Sequence, residues 1–541
     1  MVKVAKERKE KLSIYLTKKP IVDDILLLKV ENTEPFTELF IEGFDSSRLY
    51  IKKTPPEHSP PWTKLFTERE EVKKNAFGSS QSIGAVLVVT VNSSKFILAF
   101  GTGFHLINDD HIERDFGLRV TLNSVEPAKL RSLDKASYDH NPLNYRTQST
   151  KEVDIFDLHM NSELEMLYAV TGVSSVEKFG TQITGRDALT ILTESNLDGL
   201  PEILEEAIHR WEQQLPEDFE WVDNINKVRD NEEIEILDLE LDSRFTKHDY
   251  SGFWLGEPEI VDWENHVGYS FDLYPKTERH VVLHLDDLIN HLNQKHASLT
   301  VETLKSSSVH INSHEYQPIK TWSAYRCLYA ELNYGKDKFV LRNATWYRIN
   351  PTFVEKIDRQ LKSINTYRHT LPTYSHDREE EYNSHLEASD PTICLLDKKN
   401  IRIGGAYDKL EFCDAIKDGT DLIHVKYYRS SSTLSHLFSQ GCVSAEAFIV
   451  DAEFRQKLNT KLPPSIKLLD AEARPNPQNY TVVYAVATSK VLPSELPFFS
   501  KVTLKNAIKV LRGLNYGVAL CAIPVDPHLA LKKKIKPKKT L

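Results

Sequence analysis

The sequence predicts a multidomain α+β protein, with a mixed α/β N-terminal region and a C-terminal α/β domain. Three observations carry that class. Strand-length apolar runs of period two alternate with segments of helical spacing along the chain. Two β-branched runs, 82–91 and 95–100, meet across Asn92-Ser-Ser94, the pattern of an antiparallel hairpin. Near the C-terminus, a strand at 481–487, a helical face of Leu504, Ile508, Leu511 and Leu514, and a strand at 516–523 follow one another. That β–α–β order calls for a buried, largely parallel sheet.

Bulk properties set the frame. A chain of 541 residues has room for roughly three to four domains, and 40% hydrophobic with 27% charged residues is a globular composition. The expected division is 1–160, β-rich and mixed; 161–300, mixed and acidic; 301–390, hairpin, helix and linker; 391–525, α/β; and 526–541, a basic tail. The five cysteines are scattered and lack the spacing of a zinc knuckle or a disulfide framework, so free thiols in a reducing cytoplasm are expected. The first residues have no apolar core of a signal peptide, and runs such as Gly84-Ala-Val-Leu-Val-Val are too short to span a bilayer. The expectation is therefore a cytoplasmic protein with no membrane partner.

The net charge of −10 is unevenly spread. Between Glu202 and Asp242 fifteen acids face three basic residues, a local −12 that leaves about +2 for the rest. The chain ends in Lys532-Lys-Lys-Ile-Lys-Pro-Lys-Lys539. A neutral body with a basic tail is compatible with nucleic acid and does not require it; a solvated, disordered end explains the tail better than a dedicated binding arm.

In order along the chain, 11–17 alternates as a strand, and a Pro-rich break follows at 54–62. After the hairpin, Gly101-Thr-Gly103 reads as a tight turn and 112–116 as a helix. The stretch 188–214 has mostly helical spacing, while 232–241 alternates acid and aliphatic like an exposed strand. Residues 279–285 read as a strand leading into a helix through Leu288, Ile289 and Leu292. Strands are expected at 325–332, 338–341 and 346–349, with Asn343-Ala344 as the last turn, and then a helix over 351–364. The polar stretch 369–391, containing Asp377-Arg-Glu-Glu-Glu381, reads as a linker.

The residues with chemical content lie between 392 and 450. Three strands, Ile393-Cys-Leu-Leu-Asp397, Lys409-Leu-Glu-Phe-Cys-Asp414 and Asp421-Leu-Ile-His-Val-Lys426, precede a helix from Thr433. Alternation puts His424, Lys426 and Tyr428 on one face of the third strand. The helix is expected to bury Leu434, Leu437, Phe438, Gly441, Ala445 and Phe448, with His436 and Gln440 one turn apart beside them. Arg429-Ser-Ser-Ser-Thr433 precedes the helix; Ser430, Ser431 and Ser432 could cap it or hold a phosphate with Arg429.

This order resembles the restriction-endonuclease-like, PD-(D/E)XK, fold. The resemblance implies that Asp414 is a metal ligand, Lys426 the lysine that orients or activates water, and Gln440 the helix residue, with Mg²⁺ as cofactor. Such a cation takes oxygen ligands and keeps several waters. The sequence departs from the pattern at His424, which stands where the family has its second acid and offers nitrogen to an oxygen-preferring ion. Either Glu411 or Asp397 supplies the missing carboxylate, or the domain binds without cutting.

The whole chain, including Leu118-Arg-Val-Thr-Leu-Asn123, Ile423-His-Val-Lys426, Ser432-Thr-Leu-Ser-His-Leu-Phe-Ser-Gln-Gly441 and Pro497-Phe-Phe-Ser-Lys-Val-Thr-Leu504, is similar to a sporadically distributed bacterial family of unknown function. The resemblance, through that scattered occurrence, implies mobile or anti-phage defence islands. The resulting expectation is a nucleic-acid-directed defence protein that cuts with Mg²⁺ through Asp414, Glu411, His424, Lys426 and Gln440, and binds through Arg429–Ser432 and His436. The alternative is a non-catalytic sensor or scaffold for nucleic acid, a phage protein or a partner of the same defence system.

Overall fold

The computed structural model describes residues 9–529 apart from 20–22, 54–60, 70, 74–75, 80, 138–143, 156, 195, 260–267, 274–278, 314–317, 398, 403–408 and 429–430. It is an α+β structure of two compact units, one of residues 1–136 and 144–222, the other of 137–143 and 223–541.

The first unit is built on a ten-stranded sheet whose described pairings are all antiparallel. The expected hairpin is its middle: Gly84–Val91 pairs with Ser94–Gly101, and Asn92 and Ser93 take the left-handed conformation that a two-residue hairpin turn requires. The helix expected at 112–116 instead spans Phe116–Leu122. There Gly117 lies so close to the Ala188 carbonyl that a Cβ would overlap it. The 188–214 stretch divides into a strand, Leu189–Thr193, and a helix, Leu200–Glu212. Leu189 and Ile191 alternate into the core, and Pro201 suits a helix start.

The second unit begins with a five-stranded antiparallel sheet and a three-stranded one around a shared core. Strands Asp337–Arg342 and Thr345–Ile349 and the helix Pro351–Leu361 fall where the sequence pattern puts them. Three segments differ. Residues 232–241 belong to a helix, Asn231–Thr246, capped by Asp230 and burying Leu237, Leu241 and Phe245 at intervals of four. Residues 279–285 contribute a single bridge at His280; Val281 and Val282 are exposed, and the helix Leu285–Gln294 follows. The 325–332 segment opens as a helical turn, Ala324–Cys327, capped by Ser323, before the strand Leu328–Tyr334.

The C-terminal part holds a six-stranded mixed sheet. In spatial order its strands are Asn365–Thr366, Gly517–Ile523, Thr481–Ala487, Asp421–Tyr427, Ala415–Lys417 and Ile393–Leu395. The first three junctions are parallel and the last two antiparallel. The expected β–α–β unit is present, with Phe498–Gly513 as its helix. Residues 369–391 are not a plain linker, for Glu379–Ser389 is a helix. Three glutamates favour its first turn, and Tyr382 and Leu386 pack it onto Ile423, Val425 and Val483.

On the other face lies the helix Ser431–Val450, in contact with Phe498–Gly513 and the central strands. It buries all six residues expected of it. Gly441 sits against Tyr484, whose hydroxyl donates to the Phe438 carbonyl at 2.9 Å. A Cβ on Gly441 would stand 2.6 Å from that ring. Overpacking of this kind costs about 1–3 kcal/mol, more than the roughly 1 kcal/mol that alanine adds to a helix. Gly441→Ala should therefore lower the unfolding free energy by about 1–2 kcal/mol in urea titrations; unchanged or higher stability would mean that the Tyr484 ring yields without cost.

Candidate metal centre

The site begins where a strand ladder stops. The second strand of the expected trio is Ala415–Lys417 rather than 409–414, and Lys409–Leu410 pairs with Ile401–Arg402 in a separate ribbon. The reason lies in Asp414. Its N–H donates to the Ile423 carbonyl at 3.0 Å, but its carboxylate accepts the Val425 N–H at 2.7 Å. A side chain thus takes the place of the next backbone acceptor, and the two strands part.

The Asp414 carbonyl accepts two further N–H groups, from Leu396 at 2.8 Å and Asp397 at 2.9 Å. That clamp brings the end of the first strand to the same point. Glu411 arrives from the ribbon. One carboxylate oxygen from each of Asp397, Glu411 and Asp414 lies within 4.8 Å of the others, and all three residues are half-buried. Each flanking helix holds one of them: Gln440 donates to Glu411 Oε2 at 3.1 Å, and Asn383 Nδ2 donates to Asp397 Oδ2 at 3.3 Å. Lys426 Nζ donates to Glu379 Oε2 at 2.7 Å, while Glu379 Oε1 accepts the Tyr427 N–H at 3.2 Å.

Crowding three acids has an electrostatic cost. Burial pushes the Asp414 carboxyl up to about 8, and the charges of Glu411 and Asp397 add to it, against the Val425 N–H and Lys426. Folded Asp414 therefore holds a proton that an unfolded aspartate releases near pH 4, and the stability tied to that proton is lost as pH rises toward 8. The Asn383 side chain is buried, and its Oδ1 has no hydrogen-bond partner among the described residues. The cluster offers three carboxylate oxygens, the donor type that a hard divalent cation takes.

The sequence-predicted residues divide. Asp414, Glu411, Lys426 and Gln440 come together, and Asp397 is the acid that completes the cluster. His424 does not join them. It is 1% exposed, its ring stands 6.1 Å from that of Tyr484, and both nitrogens lack partners. Burial alone lowers its pKa to about 4, so it is neutral near pH 7. His436 is exposed on its helix. Arg429 and Ser430, and the side chains of Ser431 and Ser432, lie outside the described residues. Sequence reading missed Glu379 and Asn383; the available signal was Tyr382 and Leu386, four apart, behind a run of glutamates suited to a helix start.

A half-buried carboxylate cluster flanked by a fixed lysine defines the class of this site as a candidate cation-binding centre in a mixed α/β domain. The chain belongs to a family of unknown function, DUF6119, whose model matches residues 12–524. No curated protein and no solved structure matches it. Among the described residues no helix is long and apolar enough to cross a membrane.

A cation entering the cluster must displace the Asp414 proton. In isothermal titration calorimetry, Mn²⁺ or Mg²⁺ affinity should rise with pH by up to about tenfold per unit, levelling off above pH 8. Asp414→Asn should remove both the binding and its pH dependence, and should raise the melting temperature of the metal-free protein at neutral pH. Affinity independent of pH would place the ion elsewhere.

Proposed function

We propose that the C-terminal domain is a divalent-metal-dependent nuclease with a restriction-endonuclease-like core, acting on nucleic acid in bacterial defence. The observation that carries the reading is the convergence of Asp397, Glu411 and Asp414 at the strand end beside Lys426. Its further support is the order of elements, since the acids, which lie beside the ends of short strands, and Lys426, which lies on one, precede the helix that supplies Gln440. The acid absent at His424 is made up by Asp397 and Glu411.

In this reading Asp397, Glu411 and Asp414 hold the cation, with Asn383 and Gln440 fixing the directions of two of them. A bound divalent ion lowers the pKa of a water and shields phosphate charge. Lys426, held by Glu379, presents a fixed positive charge suited to orienting that water or meeting a phosphate oxygen. Hydrolysis joins the water oxygen to phosphorus, breaks one phosphorus–oxygen ester bond, and leaves a proton on the departing oxygen.

One observation favours the second reading, a non-catalytic sensor or scaffold: the position of the family's second acid is a buried, neutral histidine. The two readings part in one assay. Purified protein is incubated with duplex DNA, single-stranded DNA and RNA, with Mg²⁺ or Mn²⁺ and with chelator. The nuclease reading predicts cleavage that chelator abolishes, lost in Asp414→Asn and reduced roughly 100-fold or more in Lys426→Ala. Binding without cleavage of any substrate in either metal would establish the sensor instead.

A further inference from the structure

Two residues beyond Lys426, Tyr428 lines a cleft of about 350 Å³. One wall comes from the five-stranded sheet, including Lys338 and Phe339; the other from the C-terminal part, including Tyr428, Lys490 and Phe498. The walls are fastened to each other nearby. Lys501 pairs with Asp358 at 2.7 Å, and the Phe353 and Phe498 rings meet at 5.3 Å.

Lys338 and Lys490 are both half-buried. Lysines so placed ordinarily have a carboxylate partner, and neither of these has one among the described residues. Lys338 Nζ donates to Asn333 Oδ1 at 3.1 Å. Lys490 Nζ donates to the Tyr428 hydroxyl at 3.1 Å and stands 4.6 Å from the centre of that ring. Three carboxylates also line the cleft, Asp249, Glu331 and Glu495, and the first and last are engaged elsewhere. Asp249 holds Arg244 and Ser251, and Glu495 accepts the Val491 N–H.

Burial is the main cause that lowers the Lys338 pKa; Lys501 and, least, Lys490 act the same way, and Asp358 and Glu331 act against them. Two half-buried cations from distant parts of the chain thus line one cleft, with no carboxylate paired to either among the described residues. Such conflicts concentrate where a ligand resolves them.

We propose that Lys338 and Lys490 form a phosphate-binding subsite in this cleft, where they meet backbone phosphates of a bound nucleic acid. The proposal rests on the nucleic-acid reading above for the identity of the anion. Lysine suits the role, because a compact ammonium meets a phosphate as a point charge from many angles and reads no sequence. The subsite therefore adds affinity and register without base preference.

The test measures binding of a labelled DNA duplex to the full-length protein in chelator, across a range of KCl concentrations. Losing two phosphate contacts should reduce the slope of log affinity against log salt by about 2 in the Lys338→Ala/Lys490→Ala protein. The corresponding double arginine variant should keep the slope, and Mn²⁺ affinity should be unchanged in both. As a check that needs no variant, amine acetylation of the wild-type protein read by mass spectrometry should show Lys338 and Lys490 protected by duplex and exposed Lys509 not protected. Protection by inorganic pyrophosphate but not by duplex would overturn the proposal in favour of a free-phosphate site. Duplex binding with an unchanged slope and no protection would overturn the subsite while leaving the nuclease reading intact. A wild-type protein that neither binds nor cuts any nucleic acid would overturn both.

Discussion

The bond from the Val425 N–H to the Asp414 carboxylate governs how the C-terminal domain's acid cluster is assembled. A backbone donor in a strand must find an acceptor, and here a side chain supplies it. The ladder with Ala415–Lys417 ends at that point, so the chain before Asp414 is free to leave the sheet as a ribbon and return Glu411 to the same corner. The carbonyl of the same residue collects Leu396 and Asp397. One aspartate thereby ends a strand, anchors its neighbour and contributes to the acid cluster that both create.

The arrangement is poor for stability, which is informative. Three carboxylates within 4.8 Å raise the cost of ionising any of them, and Asn383 buries an oxygen without a partner among the described residues. His424 likewise places two unsatisfied nitrogens in the core beside Tyr484. The histidine is an uncompensated cost for which the fold offers no chemical return. The carboxylates differ, since one divalent cation would offset most of their mutual repulsion.

Much of the C-terminal domain was legible in the sequence because its signals are redundant. The 481–487 and 516–523 strands are continuous apolar runs around a helix with a clean apolar face, so their parallel pairing follows. Asp414, Lys426 and Gln440 are grouped by the resemblance to the restriction-endonuclease-like pattern, while alternation and helical spacing only place each on its own element. Asp397 and Glu411 could be weighed as donors but not chosen, since their approach depends on a tertiary clamp at one carbonyl. Glu379 and Asn383 were hidden by composition: two core residues, Tyr382 and Leu386, among acids and polar residues make too narrow a stripe to outweigh a linker reading. At 232–241 the fault was different. Ile234, Ile236, Leu237, Leu239 and Leu241 satisfy both periods, and only the Asp230 cap and the burial of Phe245 decide for helix. The ten-stranded sheet has no comparable chemistry to read; its hairpins are legible locally and its strand order is not.

The central claim is that Asp397, Glu411 and Asp414 together hold one divalent cation. Anomalous diffraction from crystals of the full-length protein grown with MnCl₂ tests it most directly. The account predicts an anomalous peak bounded by oxygens of those three carboxylates, absent in crystals of Asp414→Asn. A fully ordered cluster with no manganese between the acids, in crystals saturated with the ion, would contradict it.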